Sequence, residues 1–249
     1  MDKIEKIKEV ANIIKKSDDI VFLGGAGVST ESNIRDFRGV NGIYNDKIDG
    51  KNPEDILSLD CFNVFPHEFY NFYKKMFLSG NYEPSRVHKA LVDLEKYGLK
   101  TVITQNIDNL HQKAGSSNVI DIHGNGDKFY CMNCGKEYNS EYILKSENIY
   151  PICEDCECCL KPDITLYGDF LNEKKFNKAI KSIKECDTLI VGGTSLTVYP
   201  VSELVTYYRK NRFILINDTP TPYDNYADIL INDNLGDIFD KILEILKNN

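Results

Sequence analysis

The feature that most constrains the fold is an alternation of short β-rich runs with segments of helical periodicity. The runs at 20–23, 101–104, 119–122, 188–191, 213–216 and 228–231 predict six strands. Around them, apolar residues recur at steps of three and four, as at 4/7/10/14 and 201/204/205/208, which predicts amphipathic helices. Alternating strands and helices are typical of an α/β domain, so we predict a doubly wound parallel sheet.

Two stretches do not fit this alternation. Residues 39–84 are rich in aromatic and turn residues, and residues 125–164 contain most of the cysteines. Both leave the predicted sheet and return to it. We therefore predict a large lobe formed by residues 1–38, 85–124 and 165–249, and a smaller lobe formed by a helical insertion (39–84) and a metal-binding module (125–164).

The cysteine spacing predicts a zinc site. Six of the eight cysteines fall between Cys131 and Cys159, and 18 residues separate the pair Cys131/Cys134 from the pair Cys153/Cys156. This spacing lies inside the ~15–20 residue window of four-cysteine zinc sites. Four thiolates leave no open coordination position for water or substrate, so this zinc would stabilise structure rather than take part in chemistry.

Two alternatives remain open for these cysteines. The thiols could be reduced side chains without a metal. Cys158 is also close enough in the sequence to replace Cys153 or Cys156 as a ligand.

Charge and hydropathy exclude some partners. Thirty Lys and Arg against 38 Asp and Glu give a net charge of -8, and such a chain lacks the cationic field that binding to a phosphate backbone needs. No apolar run approaches the ~18 residues of a membrane span, and the start MDKIEKIKEV has the pattern of a charged helix rather than of a signal peptide. We expect no nucleic-acid partner, no membrane association and a cytoplasmic protein.

Two glycine-rich segments follow predicted strands. GGAGVST at 24–30 follows the first run, and GGTS at 192–195 follows the fourth. Glycines at a strand end allow a tight turn and a close backbone approach to a phosphate, although many such segments are only turns. Because ligands of open α/β sheets bind at the carboxyl ends of strands, the two segments together predict a nucleotide site.

Polar side chains follow two further strands. TQNIDNLH at 104–111 carries amides, a carboxylate and a histidine, and turn or helix-cap chemistry explains it equally well. His123 is the stronger candidate for chemistry, because it follows an apolar strand and the next residue, Gly124, allows a ligand to approach. We assign no role to His67 or His88, and His111 is ambiguous.

Taken in order, these segments closely resemble the motif series of the sirtuins, NAD-dependent protein lysine deacetylases, of the bacterial type. The segments that carry the resemblance are GAGVSTESNIRDFRG at 25–39, TQNIDNLHQKAG at 104–115, HG at 123–124, the two C-x-x-C pairs, KPDITLYGD at 161–169, GGTSL at 192–196 and Ile216-Asn217. The resemblance implies one catalytic domain over residues 1–249. It also implies a Rossmann-like lobe, a zinc-binding and helical lobe, and NAD meeting an acyl-lysine peptide between them.

The resemblance implies roles for single residues. His123 would be the general base and Asn106 a second catalytic residue. Cofactor contacts are implied for Ala26, Thr30, Phe37, Arg38, Gln105, Ile107, Asp108, His123, Thr194, Ser195, Asn217 and Ile231. Residues 167–169 and 196–198 would offer strand edges to the acyl-lysine peptide.

The implied reaction transfers the acyl group from lysine to ADP-ribose and releases nicotinamide. Acetylated-lysine proteins or peptides would be the substrates, with nicotinamide as product and inhibitor, NAD as cofactor and one structural zinc. A histidine suits the role of base, because its unperturbed pKa of ~6.5 leaves it mostly neutral at neutral pH. Phe37 would keep water away from the reacting sugar.

Two departures from the family pattern are informative. Asp169 stands where a glutamate is common. Tyr70 is followed three residues later by Tyr73, where desuccinylating sirtuins carry an arginine. Tyr73 cannot supply a bidentate cation for an acidic acyl group, so we expect neutral acyl groups to be preferred. An aromatic wall of Phe69, Phe72 and Tyr73 would face them.

Two other functions remain open at this stage. The chain could be a zinc-bearing binding module, and since residues 125–164 carry four lysines and no arginine against eight acidic residues, its partner would be a basic protein. It could also be an enzyme whose main activity is ADP-ribosyl transfer. Nicotinamide release on adding acetylated peptide to NAD would separate the enzyme from the binding module.

Overall fold

The computed structural model describes residues 1–36, 42–48 and 50–248. The strands are β1 (Ile20–Gly24), β2 (Leu99–Thr104), β3 (Val119–Asp121), β4 (Gly124–Cys131), β5 (Glu137–Asn139), β6 (Leu160–Ile164), β7 (Thr188–Gly192), β8 (Phe213–Ile216) and β9 (Ile229–Ile231).

The α-helices are α1 (Lys3–Lys15), α2 (Pro53–Ile56), α3 (Leu59–Val64), α4 (Pro66–Tyr73), α5 (Arg86–Leu94), α6 (Leu110–Ala114), α7 (Ser140–Lys145), α8 (Glu173–Glu185) and α9 (Leu235–Lys247). Short 3-10 helices cover Ala26–Val28, Thr30–Ser32, Ile43–Asn45, Glu95–Tyr97, Val201–Tyr207 and Asp224–Tyr226, and a π-helix covers Lys74–Leu78.

The six predicted strands form one parallel sheet, which confirms the predicted fold class. Their order is β3-β2-β1-β7-β8-β9. The first three strands of the sheet thus lie in the order β1, β2, β3 toward one edge. The later strands lie in the order β7, β8, β9 toward the other edge. The switch point lies between β1 and β7, where open sheets of this kind bind their ligands.

Each strand alternates its side chains between the two faces of the sheet, and helices cover the side chains on both faces. On β1, Ile20 and Phe22 pack into a core with α1, α5 and α9. Val21 and Leu23 point the other way, into a core with α8 and the 201–207 helix. All five residues of β1 are buried, as expected for a central strand of a covered parallel sheet.

Several helices begin where the sequence supplies a cap. Asp2 and Glu5 form a reciprocal capping box at the start of α1. Ser85 caps α5, and the side chain of His88 completes that box. These side chains satisfy backbone N–H groups that a helix start otherwise leaves unpaired.

The helix predicted at 201–208 is a 3-10 helix over Val201–Tyr207. Val201 and Leu204 are three residues apart and both fully buried, a spacing that a helix of three residues per turn places on one line. Val201, Val205 and Thr206 are β-branched, which lowers the preference of this segment for the α-helix.

A third buried core lies outside the main sheet. It combines residues of α2, α3 and α4 with residues from 129 to 166, including Phe62, Tyr70 and Phe129. The antiparallel sheet β5-β4-β6 supports it. The sequence analysis did not identify these three strands, because β4 carries Gly, Asn, Asp and Lys and its register shifts between Asn125 and Phe129.

Among the described residues, no helix combines the length and the apolar character needed to cross a bilayer.

Candidate active site

A cleft of about 680 Å³ opens at the switch point of the sheet. Its walls come from the segments that follow β1, β2, β3, β7 and β8, together with side chains of the third core. The predicted site residues that line it are Ala26, Thr30, Gln105, Asn106, Ile107, His123, Thr194, Ser195 and Asn217. Phe37 and Arg38 lie outside the described residues.

Two predicted cofactor residues do not line the cleft. Asp108 accepts hydrogen bonds from the hydroxyl of Ser29 (2.5 Å) and from the backbone N–H of Leu110 (3.0 Å). Ile231 is 3% exposed and packs in the main core, while its backbone carbonyl accepts from the N–H of Asn217 at 3.1 Å. Asp108 is therefore connected to the cleft residue Asn106 through Ser29, and Ile231 is hydrogen-bonded directly to the cleft residue Asn217.

The two glycine-rich segments pack against each other. The N–H of Gly27 donates to the carbonyl of Gly193 at 2.8 Å, and a Cβ on Gly27 would lie 2.7 Å from the Cα of Gly193. Gly193 also has a φ of +62°. These glycines are needed first for the contact between the loops, and the two bare backbones then line the cleft together.

A hydrogen-bonded network of amide, hydroxyl and carboxylate groups connects two of the loops at the cleft. Asn106 donates from Nδ2 to the carbonyl of Gly25 (3.1 Å) and to the hydroxyl of Ser29 (2.9 Å), and Ser29 donates to Asp108. The network thus joins the loop after β1 to the loop after β2. Ser29 is a residue that the sequence analysis did not single out, although it lies inside the glycine-rich segment.

A second group of side chains forms the other half of the cleft. Gln105 donates from Nε2 to the hydroxyl of Thr194 at 3.0 Å, and the N–H of Thr194 donates to the side-chain oxygen of Asn217 at 3.0 Å. Asp218, Thr219, Asn234 and Leu235 also line this half and were not predicted. Asp218 and Thr219 directly follow the strand-end residue Asn217, so the strand-end rule could have indicated them.

His123 lies between β3 and β4 and lines the cleft. Its Nδ1 is 2.9 Å from the backbone carbonyl of Gln105. Because a carbonyl only accepts, Nδ1 carries the proton and Nε2 of the neutral ring is left as an acceptor. Burial lowers the pKa of His123 below its usual value, which keeps the ring neutral at neutral pH.

Gly124, after His123, has a structural purpose that the sequence analysis did not foresee. Its φ is +93°, and a Cβ there would lie 2.0 Å from the backbone carbonyl of Asp163. The absence of a side chain at Gly124 thus allows β4 to pair with β6. It does not serve the approach of a ligand to His123, as we had expected.

The wall on the side of the third core is apolar. Leu57, Phe77, Ile107, Ile164 and Leu166 contribute to it, and among the described residues no lysine or arginine lines the cleft.

The prediction that Phe69, Phe72 and Tyr73 form an aromatic wall was wrong. These side chains are buried in the third core and do not line the cleft. The Tyr73 hydroxyl donates to the carbonyl of Gly126 at 3.1 Å, and the Tyr70 hydroxyl donates to the carbonyl of Leu160.

Four cysteines converge at the end of β4. The Sγ atoms of Cys131, Cys134, Cys153 and Cys156 all lie within 4.8 Å of one another. The cluster is the predicted set, without Cys158. Four thiolates at this spacing fit one tetrahedral zinc ion with no open position, which is a structural site.

Two side chains outside the motif, Tyr138 and Lys136, support the cysteine cluster. The Tyr138 hydroxyl donates to Sγ of Cys153 at 3.1 Å and lowers the pKa of that thiol to about 6. Lys136 forms ion pairs with Glu154 and Asp155, which join the two cysteine turns. Tyr138 is a supporting residue that no motif spacing indicates, because it lies on β5 and reaches Cys153 from there.

The other histidines lie away from the cleft. The rings of His88 and His111 contact each other in the interior, with centroids 4.5 Å apart, where α5 meets α6. Half of the His67 side chain is exposed. His111, which the sequence left ambiguous, is therefore a buried packing residue.

Comparisons with known proteins agree on one family. A sequence model of the Sir2 family matches residues 25–200. The NAD-dependent protein deacetylase of Clostridium tetani is 47% identical over 248 residues, which cover 99% of this chain and 99% of that protein.

Solved structures that are similar to this chain belong to the same family. A Sir2 structure with a p53 peptide and NAD+ superimposes with a TM-score of 0.86 at 33% identity, covering 100% of both chains. A Sir2 structure with a deacetylated p53 peptide and 3'-O-acetyl ADP ribose superimposes with a TM-score of 0.88 at 35% identity, covering 96% of this chain and 97% of that chain.

Proposed function

This chain belongs to the Sir2 family, and we propose that the cleft at its switch point is where it removes acyl groups from lysine with NAD. The protein is an NAD-dependent protein deacetylase, and acetylated lysine in proteins or peptides is its substrate. It is therefore an enzyme and not a binding module. The observation that carries the site assignment is the Nδ1–carbonyl hydrogen bond of His123, which leaves a neutral acceptor in the cleft.

The cleft suits NAD because it has a volume of about 680 Å³ and is lined both by the bare backbone of Gly27 and Gly193 and by polar side chains such as those of Thr194 and Asn217. NAD supplies a leaving nicotinamide and a ribose that takes up the acyl group. Asn106 and Ile107 would bind the nicotinamide half. Thr194, Ser195 and Asn217 would bind the adenosine half, with Ile231 holding Asn217 in place. Phe37 and Arg38 stay assigned to the closing loop by resemblance alone.

His123 would accept a proton at Nε2 from a ribose hydroxyl, which frees that hydroxyl to receive the acyl group. The carbonyl of Gln105 fixes both the tautomer and the direction of the ring, since Nδ1 must point toward it. Asn106 would orient the nicotinamide amide. Asp108 supports this half through Ser29, which bonds to both Asp108 and Asn106.

The acyl-lysine peptide would enter along residues 164–169 and 196–198. Residues 164–169 all line the cleft, and Ile164 and Leu166 among them contribute to the apolar wall. A wall with no cation among the described residues suits a neutral acyl group, because an unpaired carboxylate there would lose its hydration without gaining a partner.

The test is nicotinamide release and deacetylation of one acetylated peptide by the wild type, His123→Ala and the exposed-residue control His67→Ala. Removal of a general base typically costs ~10²–10⁴-fold, so His123→Ala should lose deacetylation while binding NAD normally, and His67→Ala should resemble the wild type. In the wild type, activity should decline only below a pH of ~6.5, because the pKa of His123 is lowered. Unchanged turnover in His123→Ala would refute the assignment.

Two further proposals accompany this site. Nicotinamide, as the released product, should inhibit the enzyme by rebinding beside Asn106. We place the protein in the cytoplasm, since none of its eight cysteines forms a disulfide, which suits a reducing compartment, and cell fractionation would test this.

A further inference from the structure

Lys161 is a buried cation next to the cleft. It lies on β6 and is 4% exposed. Its ammonium donates to the backbone carbonyl of Ile164 at 3.1 Å and pairs with the carboxylate of Asp169 at 2.8 Å. It also lies 5.8 Å from the ring centroid of Tyr130. Lysine is rarely buried to this extent unless it is paired, so these contacts have a purpose in the fold.

The two oxygens that bind Lys161 lie at opposite ends of one segment. Ile164 is the last residue of β6, and Asp169 ends the run 164–169, all of which lines the cleft. We call this run the cleft loop. Lys161 thus closes the cleft loop by holding its first carbonyl and its last side chain on a single ammonium group.

Other contacts of the cleft loop run to the rest of the site. The N–H of Thr165 donates to the carbonyl of His123 at 2.8 Å, and the N–H of Tyr167 donates to the carbonyl of Leu57 at 3.0 Å. Gly168 turns the backbone with a φ of +84°. These bonds anchor the middle of the loop, whereas the Asp169 end is held by its own short turn to Leu166 and by Lys161.

We propose that Lys161 is a positioning residue for the acylated peptide, holding the cleft loop in the shape to which the peptide backbone binds. The proposal rests on the proposed function of the same cleft. Among the described residues, the Lys161 ammonium forms its hydrogen bond and ion pair with the cleft loop, and not with the loops after β1 and β7 that would bind NAD. Loss of the ammonium should therefore weaken binding of the peptide and leave binding of NAD nearly unchanged.

The test compares Lys161→Met, the conservative Lys161→Arg and the control Lys175→Met. Lys175 also forms an ion pair beside this region, but its partner is Asp121, at 2.8 Å, and not a residue of the cleft loop. We expect Lys161→Met to raise the KM for an acetylated peptide by about 10-fold or more, with kcat and the KM for NAD within about 3-fold of the wild type. Lys161→Arg should restore most of the peptide KM, and Lys175→Met should not change it.

Fluorescence polarisation of a labelled acetylated peptide measures the same effect without turnover. Zinc content and the unfolding midpoint of each variant show whether it is folded, and if Lys161→Met is not, Asp169→Asn removes the other half of the pair. A peptide KM that stays within about 2-fold in a folded Lys161→Met would overturn the proposal, as would an equal loss for peptide and NAD. A wild type without NAD-dependent deacetylation would instead refute the proposed function.

Discussion

The buried histidine pair makes the stability of this protein depend on pH in a way that one substitution can isolate. His111 is 1% exposed, and neither of its ring nitrogens has a hydrogen-bond partner among the described residues. Burial, with a smaller contribution from His88, lowers the pKa of His111 to about 3. His111→Phe replaces this ring by one of similar shape that cannot be protonated.

The size of the effect follows from the difference between the folded and unfolded states. In the unfolded chain a histidine has a pKa of ~6.5, so at about pH 5 the unfolded chain binds a proton that the folded chain does not. The stability that His111 contributes at neutral pH is therefore lost as the pH falls below ~6.5. At 1.36 kcal/mol per pH unit, about 1.5 units correspond to about 2 kcal/mol at pH 5. His88, whose pKa burial also lowers, acts in the same direction.

Urea unfolding at about pH 7.5 and about pH 5 measures this difference. The free energy of unfolding should fall by about 2 kcal/mol less in His111→Phe than in the wild type. At neutral pH the variant should be as stable as the wild type, since Phe breaks no hydrogen bond. Comparing the two proteins at each pH cancels the effect of acid on the zinc cysteines. His67→Gln, at an exposed site, is the control. An equal loss of stability in the wild type and His111→Phe would show that His111 is not kept neutral by burial.

Two further predictions concern the metal and the acyl group. Cys131→Ser or Cys153→Ser should release zinc and lower both the unfolding midpoint and the activity, whereas Cys158→Ser, outside the cluster, should have a mild effect. Metal analysis and thermal unfolding measure these effects. If Cys158→Ser were equally damaging, the zinc ligands would have to be reassigned. In competition between acetyl, butyryl and succinyl forms of one peptide, the two neutral forms should react at least about 10-fold faster, because burying an unpaired carboxylate costs several kcal/mol. Succinyl removal as fast as acetyl removal would show that a cation outside the described lining reaches the acyl group.

Much of the site could be predicted from strand ends. Gln105, His123 and Thr194 all follow strands that hydrophobic runs identify, and the parallel order brings those ends to one edge of the sheet. The cysteine spacing likewise predicted the four residues that converge. Such predictions succeed because strand periodicity and ligand spacing are properties of short segments of the chain.

The sequence by itself therefore determined the six strands of the parallel sheet, most of the strand-end residues of the site and the four zinc ligands. Only the tertiary structure decided that Gly27 serves the contact with Gly193, that Tyr73 is buried away from the cleft, and that Lys161 closes the cleft loop. The physical reason is that the first group depends on local backbone preferences and chemistry, whereas the partners of Gly27 and Tyr73 lie more than 50 residues away. For Lys161 the partners are near in sequence, but its burial depends on how β6 packs against β4.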